Sequence, residues 1–242
     1  MINKRKITTC FVADWFKVDR DSNETIVVID ILRATSVIST AFHYGIKSVI
    51  PVQDLNEAKT YIGKENHIVA AERDAKPIKG FAFGNSPFHY MNDKLAGNTL
   101  VLTTTNGTKA LKMASNNRCI TASFINFQAV LDYLLLQNND VVLLCSGWKG
   151  LFNLEDTIFA GKLADKLMDN GFNHTNDSTL AARHIYKNIQ HDLFTFLSNS
   201  SHRERLKSLN MEEDTRFCLS PTFYSDIVPV LRDGLLVGHC KT

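Results

Sequence analysis

The stretch Val27-Val28-Ile29-Asp30-Ile31-Leu32-Arg33-Ala34-Thr35-Ser36 reads as a buried strand that delivers an acid and a base to the mouth of a helix. Residues 26–29 are all β-branched, as in a strand covered on both faces, and residues 34–42 can continue as a helix. Asp30 then stands at the strand's carboxyl edge. Three residues on, Arg33 offers a planar, permanently charged fork that matches a pair of anionic oxygens. Thr35 and Ser36 place hydroxyls beside the first N–H groups of the helix. A carboxylate so placed can hold a hard cation that a phosphate shares. The plainer alternative is an aspartate that caps the helix, with Arg33 on a solvated face.

Outward from this stretch, strand-like runs recur at 7–12, 48–52, 67–71, 99–102, 118–121 and 140–145, with helical spacing at 54–62, 108–114 and 124–137. The alternation predicts a layered α/β/α fold around a parallel or mixed sheet. After Gly150 the texture changes: 153–170, 178–188 and 192–199 read as helices with no clear strand between them. The last third, about 151–242, is therefore expected to be a helical section within one compact unit spanning 1–242. The polar connection at 171–176 is a weak boundary candidate. Residues 73–89 are punctuated by Gly and Pro and lack periodicity, and a loop of that length in a compact domain is more often functional than idle. Laying 27–36 over 100–109 matches Asp30 with Thr103, Arg33 with Asn106 and Thr35 with Thr108. Both copies run strand, polar turn, helix, which fits either an internal duplication or recurrence of a common unit.

Composition narrows the function classes. With 27 basic and 25 acidic residues the net charge is +2, so no global electrostatic case for nucleic acid exists. No stretch approaches the roughly 20 apolar residues of a membrane span. The start at 1–6 is basic, but the apolar run after it breaks at Asp14 without a cleavage site, so no leader is expected. Five cysteines, at 10, 119, 145, 218 and 240, are scattered without metal-ligand spacing, as expected of reduced thiols in a cytoplasm.

Other segments carry chemistry-bearing residues. Thr103-Thr104-Thr105-Asn106-Gly107-Thr108 crowds hydroxyls around a glycine that permits a tight turn or a close backbone approach. It lacks the Gly-Lys-Ser/Thr ending of a P-loop, so nucleotide triphosphate hydrolysis is not supported. Glu72-Arg73 precedes Gly84-Asn85-Ser86-Pro87, where Pro87 can open a short helix at 88–91 capped by Asn85 and Ser86. Arg73 can equally pair with Asp74. Cys145-Ser146-Gly147 ends a strand, and Glu155-Asp156 opens a helix as ordinary dipole complements, or, if Asp156 converges with Asp30, as half of an oxygen-rich Mg²⁺ site. Leu151 occupies the arginine position of a Cys-x5-Arg phosphatase, and Leu32 stands where an aspartyl-phosphate enzyme of the haloacid dehalogenase type needs a second Asp.

Asp30-x-x-Arg33-Ala34-Thr35, Glu72-Arg73, Gly84-Asn85-Ser86-Pro87, Thr103 to Thr108, Cys145-x-Gly147 and Glu155-Asp156, in this order, resemble the 2-phosphosulfolactate phosphatase family. The resemblance runs from about Ile7 to beyond Gly161 and fits the later helices, with Asp214, more loosely. It implies Mg²⁺-dependent hydrolysis of 2-phosphosulfolactate to sulfolactate and phosphate, a step in coenzyme M formation, on an α/β fold with two related, intertwined halves. It makes Asp30 and Asp156 the expected metal ligands, with Glu72 and Glu155 as further candidates. Asp30, Arg33 and Asp156 become the catalytic set. Arg33, Thr35, Arg73, Asn85, Ser86, Asn106, Gly107 and Thr108 become the groups that hold a small anionic substrate bearing phosphate and sulfonate. So much negative charge needs several cations and aligned N–H groups. The expected mechanism is attack of a metal-activated water on phosphorus. Ser36 and Ser146 depart mildly from the family pattern, and Trp148-Lys149 can reshape the pocket; His202, Asp214 and Asp226 receive no role. The rival readings are a phosphatase for another phosphorylated hydroxy acid and a non-catalytic anion binder. A symmetric dimer is the default assembly.

Overall fold

Glu24–Ile29 (β2) sends alternate side chains into two different cores, and the rest of the fold follows from that division. The structure, a computed structural model, describes residues 5–17, 23–73, 76–189 and 192–240. Most of the basic start and Asp74, the simple partner proposed for Arg73, lie outside the described residues. The chain runs β1 (Lys6–Cys10), β2, α1 (Ala34–His43), β3 (Ser48–Pro51), α2 (Leu55–Lys59), β4 (His67–Arg73), β5 (Lys76–Pro77), β6 (Thr99–Thr103), α3 (Gly107–Met113), β7 (Arg118–Ala122), α4 (Phe127–Leu136) and β8 (Asp140–Cys145). It continues through α5 (Leu154–Asp169), β9 (Asn173–His174), α6 (Asp177–Ile189), α7 (Leu193–Phe196), α8 (Ser201–Ser208), α9 (Glu212–Leu219), β10 (Ile227–Arg232) and β11 (Leu235–Cys240).

Among the described residues the strands form one mixed sheet in the order β5-β4-β6-β3-β11-β10-β7-β2-β8-β1-β9. Two parallel blocks, β4-β6-β3 and β7-β2-β8-β1-β9, are joined by the antiparallel pair β10-β11. Val27 and Ile29 pack with Val130 and Leu131 of α4 and Phe159 and Leu163 of α5. Ile26 and Val28 pack with Val37 and Ile38 of α1, Leu111 of α3, and Leu100 and Leu102 from the distant strand β6. One core thus draws on both ends of the sheet, which curls around α1 and α3. On the far face of the first block, Val69 and Val101 pack with Ala58 of α2. Burial on both sides explains the unbroken β-branched runs.

The unit β2-α1-β3 crosses from the second block to the first, and β6-α3-β7 crosses back, so the two strand-turn-helix units are intertwined. Their turns are closed alike. The Thr35 hydroxyl donates to the Asp30 carbonyl (2.9 Å), and the Thr108 hydroxyl donates to the Thr104 carbonyl (2.8 Å), one residue nearer in sequence.

The last third is helix-rich, as expected, but it is not strand-free. β10 and β11 enter the middle of the sheet, between β7 and β3. The turn joining them, Asp233-Gly234, has φ of 50° and 79°, the twist of a two-residue I′ hairpin, and Asp-Gly between apolar runs is the signal for it. Pro229 argues against a central strand; it is accommodated because the β10–β7 pairing involves Val230 and Leu231, beyond the proline. The connection at 171–176 is also tied down. β9 pairs with β1 there, and Asn176 Nδ2 donates to the Thr9 carbonyl (2.9 Å). Among the described residues no helix is long and apolar enough to cross a membrane.

Candidate active site

Asp30 leaves β2 at the point where the N-termini of α1 and α3 meet, and its buried carboxylate is held from two sides. The Ala34 N–H donates to Oδ1 (3.2 Å), while Oδ2 lies over Gly107. A β-carbon on Gly107 would stand 2.5 Å from the Ala34 Cβ and 2.8 Å from Asp30 Oδ2, so glycine is required by close approach and not by its turn conformation. Burial, and then the neighbouring Glu72 and Glu155 charges, push the Asp30 carboxyl up to about 6 against the opposing pull of the Ala34 N–H and of His202.

A small, partly open cavity borders this carboxylate. Asp30, Arg33, Glu72, Asn85, Thr104 and Asn106 line it from the first two-thirds of the chain, and Trp148, Lys149, His202 and Arg205 close it from the β8–α5 loop and α8. Its volume is about 20 Å³, room for about one water. Asn85 is buried and its Oδ1 has no hydrogen-bond partner, nor does Thr105 Oγ1 beside it, so both acceptors are left for a guest. Asn106 joins the two walls by accepting from the Lys149 backbone N–H (3.2 Å). Arg33 is almost fully buried, and its Nη1 meets Asp214 Oδ1 of α9 at 2.5 Å.

Glu155 and Asp156 open α5 side by side, about 100° apart around the helix, and so reach different partners. Asp156 Oδ1 accepts the Ile31 N–H (2.8 Å), and Oδ2 accepts Asn153 Nδ2 (2.9 Å) and the Gly147 N–H (3.3 Å). Its two oxygens are thereby engaged in fixing the backbone just beyond Asp30 and the loop before Trp148. Burial, and then the Asp30 and Glu155 charges, raise its carboxyl well above the usual range. Glu155 Oε1 faces His202 Nδ1 at 2.6 Å, and its other oxygen has no partner. Thus Glu155 pairs with His202, and Asp156 ties together the backbone beyond Asp30 and the loop before Trp148.

Several expected substrate groups are otherwise employed. The Thr35 hydroxyl accepts from the Asp30 N–H (3.1 Å) as well as donating to its carbonyl, so it locks the turn and is fully buried behind the cavity. Thr108 does the same for Thr104. The first N–H groups of α1 are also occupied, with Thr35 N–H donating to the Asp30 carbonyl (2.9 Å). Ser86 precedes the 3₁₀ turn Pro87–Tyr90 without capping it through its side chain and does not line the cavity. Arg73 sits in an adjoining groove, where its guanidinium donates to the carbonyls of Glu72 (2.7 Å) and Gln53 (2.9 Å) and to Thr103 Oγ1 (2.9 Å). Among the described residues, only Thr104 and Thr105 border both spaces. Cys145 is fully buried outside the cavity lining, and burial and then Asp156 raise its thiol well above the usual range, which gives a phosphocysteine route no support.

Sequence reading left His202 and Asp214 without a role and did not single out Arg205; all three come from helices far along the chain. Thr104 and Thr105 were visible inside the hydroxyl-rich turn, as were Trp148 and Lys149 beside the glycine.

Buried carboxylates opposite an arginine and a histidine, at the switch between two intertwined strand-turn-helix units, are the equipment of a phosphoric monoester hydrolase. The comparisons agree on that class and narrow it. Residues 11–234 match the family described as 2-phosphosulpholactate phosphatase, and the chain belongs to this family. A protein of Caldanaerobacter subterraneus subsp. tengcongensis named probable 2-phosphosulfolactate phosphatase is 39% identical over 223 residues, covering 90% of this chain and 92% of its own. Proteins of the same name from Thermotoga maritima (39% identity, 88% and 91% covered) and Clostridium acetobutylicum (37% identity, 95% and 98% covered) are similar over nearly their full lengths.

Proposed function

We propose that this protein hydrolyses 2-phosphosulfolactate to sulfolactate and phosphate in the cytoplasm, using Mg²⁺. The observation that carries the reading is the convergence of Asp30, Glu72 and Arg33 in one buried cavity with the unpartnered acceptors of Asn85 and Thr105. Family membership supplies the substrate. Arg33 is suited to grip one anionic end of the substrate because Asp214 fixes its guanidinium, and Arg205 and Lys149 bring further positive charge to the rim.

The donor chemistry fits a hard cation through Asp30 and Glu72. Both carboxylates line the cavity, and the Glu72 charge raises the cost of ionising Asp30. Mg²⁺ is commonly held by one or two carboxylates, with waters and substrate phosphate completing its shell, and Asp30 and Glu72 could supply the two carboxylates. When bound, Mg²⁺ neutralises phosphoryl oxygens and activates water for attack. The protein's own part is to hold the phosphoryl group in line between Asp30 and Arg33 and to exclude bulk water.

The test is phosphate release from 2-phosphosulfolactate, 2-phospholactate and phosphoglycerates, with and without Mg²⁺. The reading expects 2-phosphosulfolactate to have the highest kcat/KM. Faster turnover of a sulfonate-free hydroxy acid would reassign the substrate, and ligand binding without turnover by any compound would make the protein an anion binder.

A further inference from the structure

Among the described residues His202 is the one histidine in the cavity wall, and the fold seats it there. α8 buries it, its Nδ1 lies 2.6 Å from Glu155 Oε1, and its ring stacks nearly parallel to Trp148, at 5.8 Å between centroids and 14° between planes. The Arg205 guanidinium and the Lys149 amine cover Trp148 at 5.2 Å and 5.5 Å from its ring, which holds the indole in place against the histidine. Two contacts, from α5 and from the β8–α5 loop, thus set the orientation of one imidazole carried by α8. With Nδ1 engaged by a carboxylate, Nε2 is the nitrogen left to meet a guest in the cavity.

We infer that His202 is a catalytic residue, the general acid that protonates the leaving oxygen, and that Glu155 and Trp148 are its positioning residues. The inference rests on the phosphatase reading above. Departure of a 2-hydroxy acid as a free alkoxide is unfavourable, so a placed proton donor there matters. Arg33 and Arg205 line the same space and suit charge-assisted hydrogen bonds to the anionic oxygens. In the step, water oxygen bonds to phosphorus while the ester P–O bond breaks and its electron pair passes to the leaving oxygen. The Nε2 proton moves to that oxygen to give the free hydroxyl. Phosphate departs as the dihydrogen anion, carrying both protons of the water, and neutral His202 recovers its proton from solvent.

The experiment compares leaving groups. H202N and H202Q are assayed with 2-phosphosulfolactate and with the activated esters acetyl phosphate and p-nitrophenyl phosphate, whose leaving groups need no proton. A loss of about 10²–10⁴-fold in kcat for 2-phosphosulfolactate, against less than about 10-fold for the activated esters, is the expected result. E155Q shows the same bias at smaller size. The ratio between substrates is insensitive to misfolded enzyme, which lowers all rates together. Equal losses on all substrates, unchanged turnover of 2-phosphosulfolactate, or a fall in sulfolactate affinity that accounts for the whole effect would each overturn the assignment. If the wild type ignores 2-phosphosulfolactate but cleaves 2-phospholactate, the substrate reading fails alone, and the same comparison with 2-phospholactate decides His202.

Discussion

Gly107 lies so close to Asp30 that a β-carbon there would stand 2.8 Å from the carboxylate Oδ2, although the two residues belong to different strand-turn-helix units. The contact joins the units at the point where their helices begin, and the rest of the cavity is arranged around it.

Gly107→Ala therefore tests the junction directly. The added methyl meets Ala34 Cβ at 2.5 Å and Asp30 Oδ2 at 2.8 Å, and neither belongs to the end of a long flexible side chain. The variant is expected to lose about 1–3 kcal/mol of stability from overpacking. It should also lose at least about tenfold in kcat, since displacements near 1 Å at a reacting site cost about that or more. Thermal melts and phosphate release check both.

Asp30→Asn separates function from stability. Burial first, then Glu72 and Glu155, raises the folded-state pKa to about 6, so folding favours the protonated form. Stability from this group is full below the unfolded value of about 4 and is lost as pH rises through about 6, a loss of about 3 kcal/mol at pH 8 for a two-unit shift. In EDTA, Asp30→Asn should melt higher than wild type at pH 8, and the difference should vanish near pH 4. The same variant should be inactive. Wild-type kcat/KM, which needs the ionised carboxylate, should fall below about pH 6 at low Mg²⁺.

Asp214→Ala should leave Arg33 buried without its partner. The pair is largely shielded, with side chains 4% and 14% exposed, and breaking such a pair by removing one member costs about 3–5 kcal/mol. Because Asp214 acts only through Arg33, KM should rise more than kcat falls. Asp214→Asn, which keeps an acceptor for the guanidinium, should recover much of the loss. Steady-state kinetics with melting curves distinguish this from a global defect.

Glu72→Gln probes the cation. It should raise the Mg²⁺ concentration for half-maximal activity by about tenfold or more, as loss of one of two anionic ligands would. It should also lower the Asp30 pKa, because the Glu72 charge raises it. Metal titration and the acid limb of the pH profile report the two effects. Asp156→Asn, by contrast, should lower the melting temperature without a selective change in metal requirement, since both Asp156 oxygens already accept protein N–H groups.

Sequence by itself determined β1 to β4 and β6 to β8, most of the helices in the first two-thirds, and the turns that carry Asp30, Arg33, Asn85 and Asn106. Those features depend on local periodicity, β-branching and turn chemistry, all written within a few residues. The β10–β11 hairpin was also legible through Asp233-Gly234, but Pro229 and the surrounding helices masked it. Only the tertiary structure decided which polar groups are free. Thr35, Thr108 and Asp156 look like ligand groups in sequence, yet each is engaged by backbone or side-chain N–H and C=O groups within hydrogen-bond reach. It also brought His202 to Glu155 and Asp214 to Arg33, across 47 and 181 residues of chain. Such pairs leave no periodic mark, because their energy comes from burial and charge assembled by packing, while a motif records only neighbours along the backbone.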